Sequence, residues 1–396
     1  MKLAVIGNFD KEISPNSKGG TELFTYSLVR GLISKPSIES IIVFGVGRNH
    51  FEDKKVTFIP LLQEERVEFT NHNEFLRKLS VGREDFDAEL RFGIASKITK
   101  LMQKVEVDLI HDNSTSLVFT SLTELLPAPI ITTLHTNVMS PSIMIPYYLG
   151  LLHQPSSKQF FVSIANHQKK FAQENNIHLN IFQTVYNGLD ISGINLKTDT
   201  SNQAHGLWLG RVKRKHNKGL KETVLVAKEF KKDINIVAQV DDKEYYAEEI
   251  EPNLSSNTHL IPEPKTVTEK NNLYAKSGYF IYPVQWEEPF GLVFLEAMAA
   301  GTPVIAFAKG AVCEVIADGK TGFIVNSSVD DIRGDWITKK TGLEGLNEAI
   351  ERIQSMSSEE YVAMRQACRK HVEDNFTIDK MVDGYEEVYK KILNQV

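Results

Sequence analysis

The sequence predicts an α/β protein made of two successive parallel-sheet units, and three observations carry that expectation. Short apolar runs of strand length alternate with longer amphipathic stretches, the pattern of parallel strands joined by crossover helices. The series starts afresh near Gly206 after a polar segment. The chain has 396 residues, which at ~150 per domain leaves room for two to three domains.

In the first half the expected strands are Leu3 to Gly7, Ser40 to Phe44, Val56 to Ile59, Val107 to His111, Ile130 to Leu134, Phe160 to Ile164 and Gln183 to Tyr186. After the first of them, Thr21 to Leu32 places Leu23, Phe24, Leu28 and Leu32 at helical spacing. A charged region, about Gln63 to Lys104, is too long for a structureless loop in a compact domain and is expected to be mostly helical. Phe75, Leu76, Leu79, Phe86, Leu90, Phe92, Ile94, Ile98 and Leu101 give it partial apolar faces, which suit scaffold helices better than contacts with a second substrate. Asn187 to Ala204, rich in Asn, Ser, Thr, Asp and Gly, reads as a linker. The second series of strands comprises Leu207 to Gly210, Ile234 to Val240, Tyr279 to Tyr282, Pro303 to Ala308 and Phe323 to Val325. Two helical patterns follow, about Ser358 to Asp374 and Ile378 to Leu393, separated by Asn375-Phe-Thr.

Composition excludes several classes. Hydrophobic residues make up 42% and charged residues 24%, with 24 Gly and 14 Pro, the balance of a folded chain. The formal charge is 45 minus 51, or −6, so no overall positive field draws the protein to nucleic acid. Cys313 and Cys368 suggest neither a disulfide framework nor a zinc site and suit a reducing cytoplasm. The apolar start, Met1 to Gly7, is too short for a signal-peptide core. The stretch Leu292 to Ala308 is broken by Glu296, Gly301 and Pro303 and is not a membrane span. Peripheral contact with the inner face of a membrane stays open.

The most informative segment is Pro283-Val-Gln-Trp-Glu-Glu288-Pro289-Phe290-Gly291-Leu292-Val293-Phe-Leu-Glu296-Ala-Met-Ala-Ala-Gly301-Thr-Pro303. A strand ends near Pro283, a loop with two acids follows, and a helix is expected from about Phe290 to Gly301. Free N–H groups and the positive end of a helix dipole at a strand's carboxyl end form an anion site, and Gly291 lets a phosphate come close to the backbone. Glu296 lies in an otherwise apolar turn, where an acid needs hydrogen bonds. Sugar hydroxyls, as in a ribose clamp, would supply them, and so would its own helix or an arginine. A second motif, Gly210-Arg211-Val-Lys-Arg-Lys215-His-Asn-Lys218-Gly219, is a basic turn between strand and helix. It could neutralise a diphosphate with a bidentate Arg and a point-charge Lys, or it could be a solvated loop. In the first half, Lys18-Gly19-Gly20-Thr21-Glu22 opens a helix, and its glycines could admit a substrate. His135 follows a strand end, where ligands gather in open sheets, although such a His is often structural.

Glu288 and Glu296, with seven residues between them that begin Pro289-Phe290-Gly291-Leu292, resemble the Glu-x7-Glu signature of family 4 retaining glycosyltransferases of the GT-B fold. Ala299-Ala-Gly301-Thr-Pro303-Val-Ile-Ala and Gly310-Ala-Val-Cys-Glu314-Val-Ile-Ala-Asp318-Gly319-Lys-Thr-Gly322-Phe323 resemble that family's continuation. Gly210-Arg211 followed by Lys218-Gly219 is similar to its Gly-Arg, spacer, Lys-Gly element, with a longer spacer that leaves Lys215 as the alternative to Lys218. Val185-Tyr186-Asn187-Gly188-Leu189-Asp190 resembles its interdomain segment, with Tyr186 in place of Pro.

The resemblance implies two Rossmann-like domains facing across a deep cleft, residues 1–190 binding acceptor and 205–376 binding the sugar nucleotide, with a helix at about 377–396 crossing back to the first. It implies that Arg211 and Lys218 bind the diphosphate, that Glu296 binds ribose, and that Glu288, Pro289 and Phe290 to Val293 face the donor sugar and diphosphate. Gly19 and Gly20 would border the donor, and His135 would touch the transferred sugar at the reacting centre with Glu288, Arg211 and Lys218. The implied activity is transfer of a hexose-type sugar, with retention, from a nucleoside-diphosphate sugar, UDP before GDP, to a hydroxyl of a sugar, glycolipid or small molecule. No metal or other cofactor is expected, because cations and helix amides take the diphosphate charge and no Asp-x-Asp ends a suitable strand. The alternatives are a related GT-B enzyme, such as a phosphorylase or a sugar-nucleotide epimerase, and a non-catalytic sugar-nucleotide-binding subunit, which the intact motifs disfavour. A nicotinamide or flavin oxidoreductase would need a Gly-x-Gly-x-x-Gly turn, whereas Asn8-Phe9-Asp10 follows Gly7.

Overall fold

The computed structural model describes residues 1–9, 11–17, 19–61, 83–138, 144, 150, 156–197 and 203–395. The first part of the helical region expected at 63–104 lies outside them, as do Lys18, Phe75, Leu76 and Leu79 and the side chain of Phe86. The chain divides into two compact units, Met1–Gly188 with Ile378–Val396, and Leu189–Thr377.

The first unit holds a seven-stranded parallel sheet of β1 (Lys2–Ile6), β2 (Ser40–Gly45), β3 (Val56–Pro60), β4 (Leu109–Asp112), β5 (Ile130–Leu134), β6 (Gln159–Ser163) and β7 (Ile181–Thr184). Their order is β3-β2-β1-β4-β5-β6-β7, so the winding reverses between β1 and β4. Both faces of the inner strands are covered, which is why those strands are largely apolar. Leu3 and Val5 pack with α1 (Gly20–Ile33), while Ala4 and Ile6 face α2 (Arg83–Met102) through Ile94, Ala95 and Ile98. On the α1 side lies α9 (Ile378–Leu393), which buries Met381, Val382, Tyr385, Val388, Tyr389 and Ile392 against Phe24, Leu28, Val29 and Leu32. A polar chain runs through that apolar layer. His111 of β4 hydrogen-bonds with Tyr389 Oη (2.6 Å) and Thr133 Oγ1 (2.7 Å), and Thr133 with Tyr385 Oη (3.0 Å). A short helix, α3 (Asn166–Glu174), follows β6.

The second unit has six parallel strands, β8 (Gly206–Val212), β9 (Ile234–Val240), β10 (Thr258–Leu260), β11 (Tyr279–Ile281), β12 (Val304–Phe307) and β13 (Gly322–Val325), in the order β10-β9-β8-β11-β12-β13. The longer helices are α4 (Leu220–Phe230), α5 (Val267–Lys276), α6 (Leu292–Ala299), α7 (Gly342–Gln354) and α8 (Ser358–Asn375). α8 opens with a capping box, Ser357 accepting from the Glu360 amide and Glu360 from that of Ser357. The sequence does not single out β10, because its three edge residues are largely exposed and carry no apolar run. The helix expected from Phe290 begins at Leu292, since Gly291 stands in the left-handed conformation (φ 88°) as its cap.

The polar segment expected as a linker is held to the second unit as far as residue 197. Arg365, almost fully buried, donates to the carbonyls of Lys197 (2.6 Å), Ser277 (3.0 Å) and Ala275 (2.8 Å). Arg369 donates to Ile194 (2.8 Å). Scattered buried side chains, Leu189 and Ile194 among them, and these guanidinium bonds hold the segment, so it needs no regular hydrophobic period. No helix among the described residues is long and apolar enough to cross a membrane.

Candidate active site

In an open doubly wound sheet, ligands settle beyond the carboxyl ends of the strands where the winding reverses. In the second unit that point lies between β8 and β11, and the loops leaving those strands carry both motifs, residues 213–219 and 284–291. Several bonds fix the basic loop. The Trp208 indole in β8 donates to the Lys218 carbonyl (3.1 Å), Asn217 Oδ1 accepts from the Gly219 amide (2.8 Å), and the Gln285 amide donates to the Asn217 carbonyl (3.0 Å). Gly219 has φ 78°, and a Cβ there would lie 2.1 Å from the Pro283 carbonyl oxygen, so only glycine lets the two loops come this close.

The approach brings the motifs together. Lys218 Nζ donates to Glu288 Oε2 at 2.6 Å and lies 4.5 Å from the Trp286 ring centroid, a cation–π contact. Glu288 is 7% exposed, and this ion pair meets the charge that burial would otherwise leave uncompensated. Lys215 is exposed on the same loop. Arg211 points elsewhere, paired with Asp241 of the loop after β9 (2.7 Å), which Lys213 also reaches (3.2 Å). Burial opposes ionisation of Asp241, yet the bonds from Arg211 and Lys213 hold its carboxyl below the usual range. His216, 4.5 Å from Trp286, has its pKa lowered by burial and by Lys215, Lys218 and Lys213.

The acidic loop is braced from behind. The Glu288 carbonyl accepts the Ala311 amide (2.9 Å), and Glu287 accepts the Gly310 amide (2.7 Å) and pairs with Arg333 (2.8 Å). Gly310 has φ 57°, and a Cβ there would sit 2.3 Å from the Glu288 carbonyl oxygen. Behind this loop α6 begins, and the first-turn amides of Leu292 and Val293 have no partner within the helix. One turn on, Glu296 meets neither its own helix nor an arginine. Lys270 of α5 donates to Oε1 (2.6 Å) and Tyr274 to Oε2 (3.2 Å). Burial and the Glu296 charge push the Tyr274 phenol well above its ordinary pKa, so it stays a donor.

In the first unit the winding reverses between β1 and β4. Gly19 caps α1, and the space its missing side chain leaves is filled by Glu22, whose Oε2 would lie 1.8 Å from a Cβ there. Glu22 is 2% exposed and accepts from Asn8 Nδ2 (2.7 Å). Gly20 is the first residue of α1. His135, just past β5, hydrogen-bonds with Asn113 Oδ1 (2.9 Å) and packs edge-on against Phe24. Burial lowers its pKa to about 3, so the ring is neutral at pH 7. Asn113 Nδ2 and, in the second unit, Trp286 Nε1 are buried donors without a partner among the described residues.

Residues 205–335 match the model of the family described as glycosyl transferases group 1. This chain carries a group 1 glycosyltransferase domain. The chain is 33% identical over 119 residues to spore coat protein SA of Bacillus subtilis, covering 30% of this chain and 28% of that protein. It is 30% identical over 141 residues to the alpha-maltose-1-phosphate synthase of Mycobacterium tuberculosis H37Rv, covering 34% and 36%. The matches thus span about a third of these curated relatives. Among solved structures, sucrose-phosphate synthase from Thermosynechococcus elongatus aligns with TM-score 0.72 and 17% identity over 100% of both chains. Anabaena HepE, in complex with UDP and glucose, aligns with TM-score 0.66 and 16% identity over 99% of this chain and 100% of that one. At such identity these likenesses establish the fold, the two Rossmann-like units of the GT-B class.

The group 1 domain contains every residue that the acidic and basic motifs single out, and Lys270, Tyr274, Trp286 and Asp241 join them as partners the sequence does not mark. Lys270 and Tyr274 reach Glu296 from 26 and 22 residues away on another helix, a separation that no local spacing signals. Among the described residues no three His, Cys, Asp or Glu groups gather where they could hold a metal ion.

Proposed function

We propose that the chain transfers a hexose-type sugar, with retention, from a nucleoside-diphosphate sugar to an acceptor hydroxyl. The observation that carries this is the Lys218–Glu288 pair at the winding reversal of the group 1 domain, beside the open amides of α6. Such a site offers a cation and a helix amino terminus to a departing diphosphate, and a carboxylate to sugar hydroxyls. On the family resemblance, Arg211 leaves Asp241 to join Lys218 on the diphosphate, and Glu296 takes the ribose hydroxyls.

As the glycosidic bond lengthens, charge accumulates on the departing phosphate oxygen, where Lys218, Arg211 and the first-turn amides stabilise it. The same phosphate oxygen takes the acceptor's proton as its hydroxyl attacks from the side the diphosphate leaves, so configuration is retained and no separate base is needed. These cations and amides meet the diphosphate's charge, and transfer proceeds without a divalent ion. His135 is assigned to the transferred sugar on the resemblance alone. UDP is the first carrier to try, supported by the UDP and glucose held by HepE. The acceptor is a hydroxyl of a sugar, a glycolipid or a small molecule, and a membrane-surface location is compatible with it.

The test is thermal unfolding with UDP, GDP, ADP, NAD and their sugar conjugates, with and without chelator. A ligand at a hundred times its Kd adds about 2.7 kcal/mol, a shift of several degrees. A chelator-insensitive shift with one nucleoside diphosphate is expected. A shift with NAD alone overturns the proposal, and turnover dependent on free phosphate moves it to a phosphorylase.

A further inference from the structure

Glu296 does not wait for its ligand unpartnered. Lys270 Nζ reaches Oε1 at 2.6 Å from α5, one turn before Tyr274, whose hydroxyl reaches Oε2 at 3.2 Å. The three side chains form a graded set: Tyr274 is fully buried, the Glu296 side chain is 13% exposed and the Lys270 side chain 28% exposed. A carboxylate has about four acceptor directions, two per oxygen. With one direction on each oxygen taken by a donor from α5, the plane of the group is fixed and one direction on each oxygen remains. Two remaining acceptor directions are enough for two neighbouring hydroxyls.

We infer that Lys270 is a positioning residue that, with Tyr274, orients Glu296 to accept both hydroxyls of a ribose and so sets the site's preference for ribonucleotides over deoxyribonucleotides. The inference rests on the assignment of Glu296 to ribose proposed above. Without Lys270 the carboxylate keeps Tyr274 on one oxygen but can turn about its own axis. Each hydroxyl then meets a group that must first be ordered, which weakens the ribose contact more than the contacts to base and phosphate.

The experiment measures Kd by calorimetry for UDP against 2′-deoxy-UDP, and for GDP against 2′-deoxy-GDP, with wild type, Lys270→Met and Lys270→Arg. For the pair that binds, wild type is expected to favour the ribonucleotide about tenfold or more, the loss that goes with one charge-assisted hydrogen bond. Lys270→Met should reduce that ratio to below about threefold by weakening the ribonucleotide, and Lys270→Arg should restore most of it. A purely structural role would lower the affinity for both sugars alike and leave the ratio unchanged, which overturns the inference while leaving Glu296 on the ribose. A wild-type ratio near one overturns the ribose assignment itself, and the inference with it. If Lys270→Met lowers the unfolding temperature enough to cloud the comparison, Lys270→Ala, which also removes the donor, takes its place with the same two outcomes.

Discussion

Arg211 and Lys218 were paired by the sequence as diphosphate ligands, yet the structure gives each its own carboxylate, Asp241 and Glu288. They therefore predict different outcomes. Lys218→Ala removes a charge that Glu288 needs, so it should cost turnover and also lower the unfolding temperature of the second unit. Arg211→Ala, at an exposed side chain, should lower turnover about ten- to a hundredfold with little change in stability, and unchanged steady-state rates would disprove its part. His135→Ala should lower kcat more than nucleotide affinity, and the reverse would remove it from the reacting centre. Glu288, Glu296 and Lys218 were legible in the sequence because a strand, a loop and a helix set them at fixed intervals, whereas Asp241 and Lys270 belong to other connections and no interval marks them. At Gly19 the expectation of open space meets a different use, since the Glu22 carboxylate lies over it.

Most elements were legible because the inner parallel strands are buried on both faces and read as largely apolar runs. The departures fall where the apolar pattern is weak: β10 is an exposed edge, β7 sits two residues earlier than expected, and the segment near Ile194 and Lys197 adds bonds from Arg369 and Arg365 to scattered buried side chains. The amphipathic pattern of α9 was plain, but not its polar contact with the sheet. His111 has both ring nitrogens engaged, one by Tyr389 Oη and one by Thr133 Oγ1. Tyr389→Phe leaves a buried ring nitrogen without its partner and should destabilise the first unit by about 1–3 kcal/mol, read as a lower urea midpoint at unchanged slope. A wild-type midpoint would show that the contact is incidental to the docking of α9.

The first unit as a whole should be acid-sensitive in a defined window. Burial lowers the pKa of His111 to about 3, an effect to which His135 adds, and that of His135 to about 3, against 6.5 in the unfolded chain. Burial raises Asp112 from 3.8 to about 6. Between these limits the unfolded chain binds more protons at each His, so stability rises with pH by about 1.4 kcal/mol per unit for each. Asp112 acts oppositely, its folded form binding the extra proton from about pH 4 to 6. The net expectation is a loss of about 1.4 kcal/mol per unit as pH falls from 6 to 4, and none above about 6.5. In His111→Gln that slope should flatten, as urea unfolding at several pH values would show; an unchanged slope would mean that His111 is not the group titrating. The placement of α9 also bears on synthesis. Residues 1–188 leave the ribosome first, but the apolar faces of α1 and the sheet stay uncovered until 378–393 follow the entire second unit. The amino-terminal unit is thus the later one to be completed, and for the time taken to make 189 intervening residues it offers an open hydrophobic surface to chaperones.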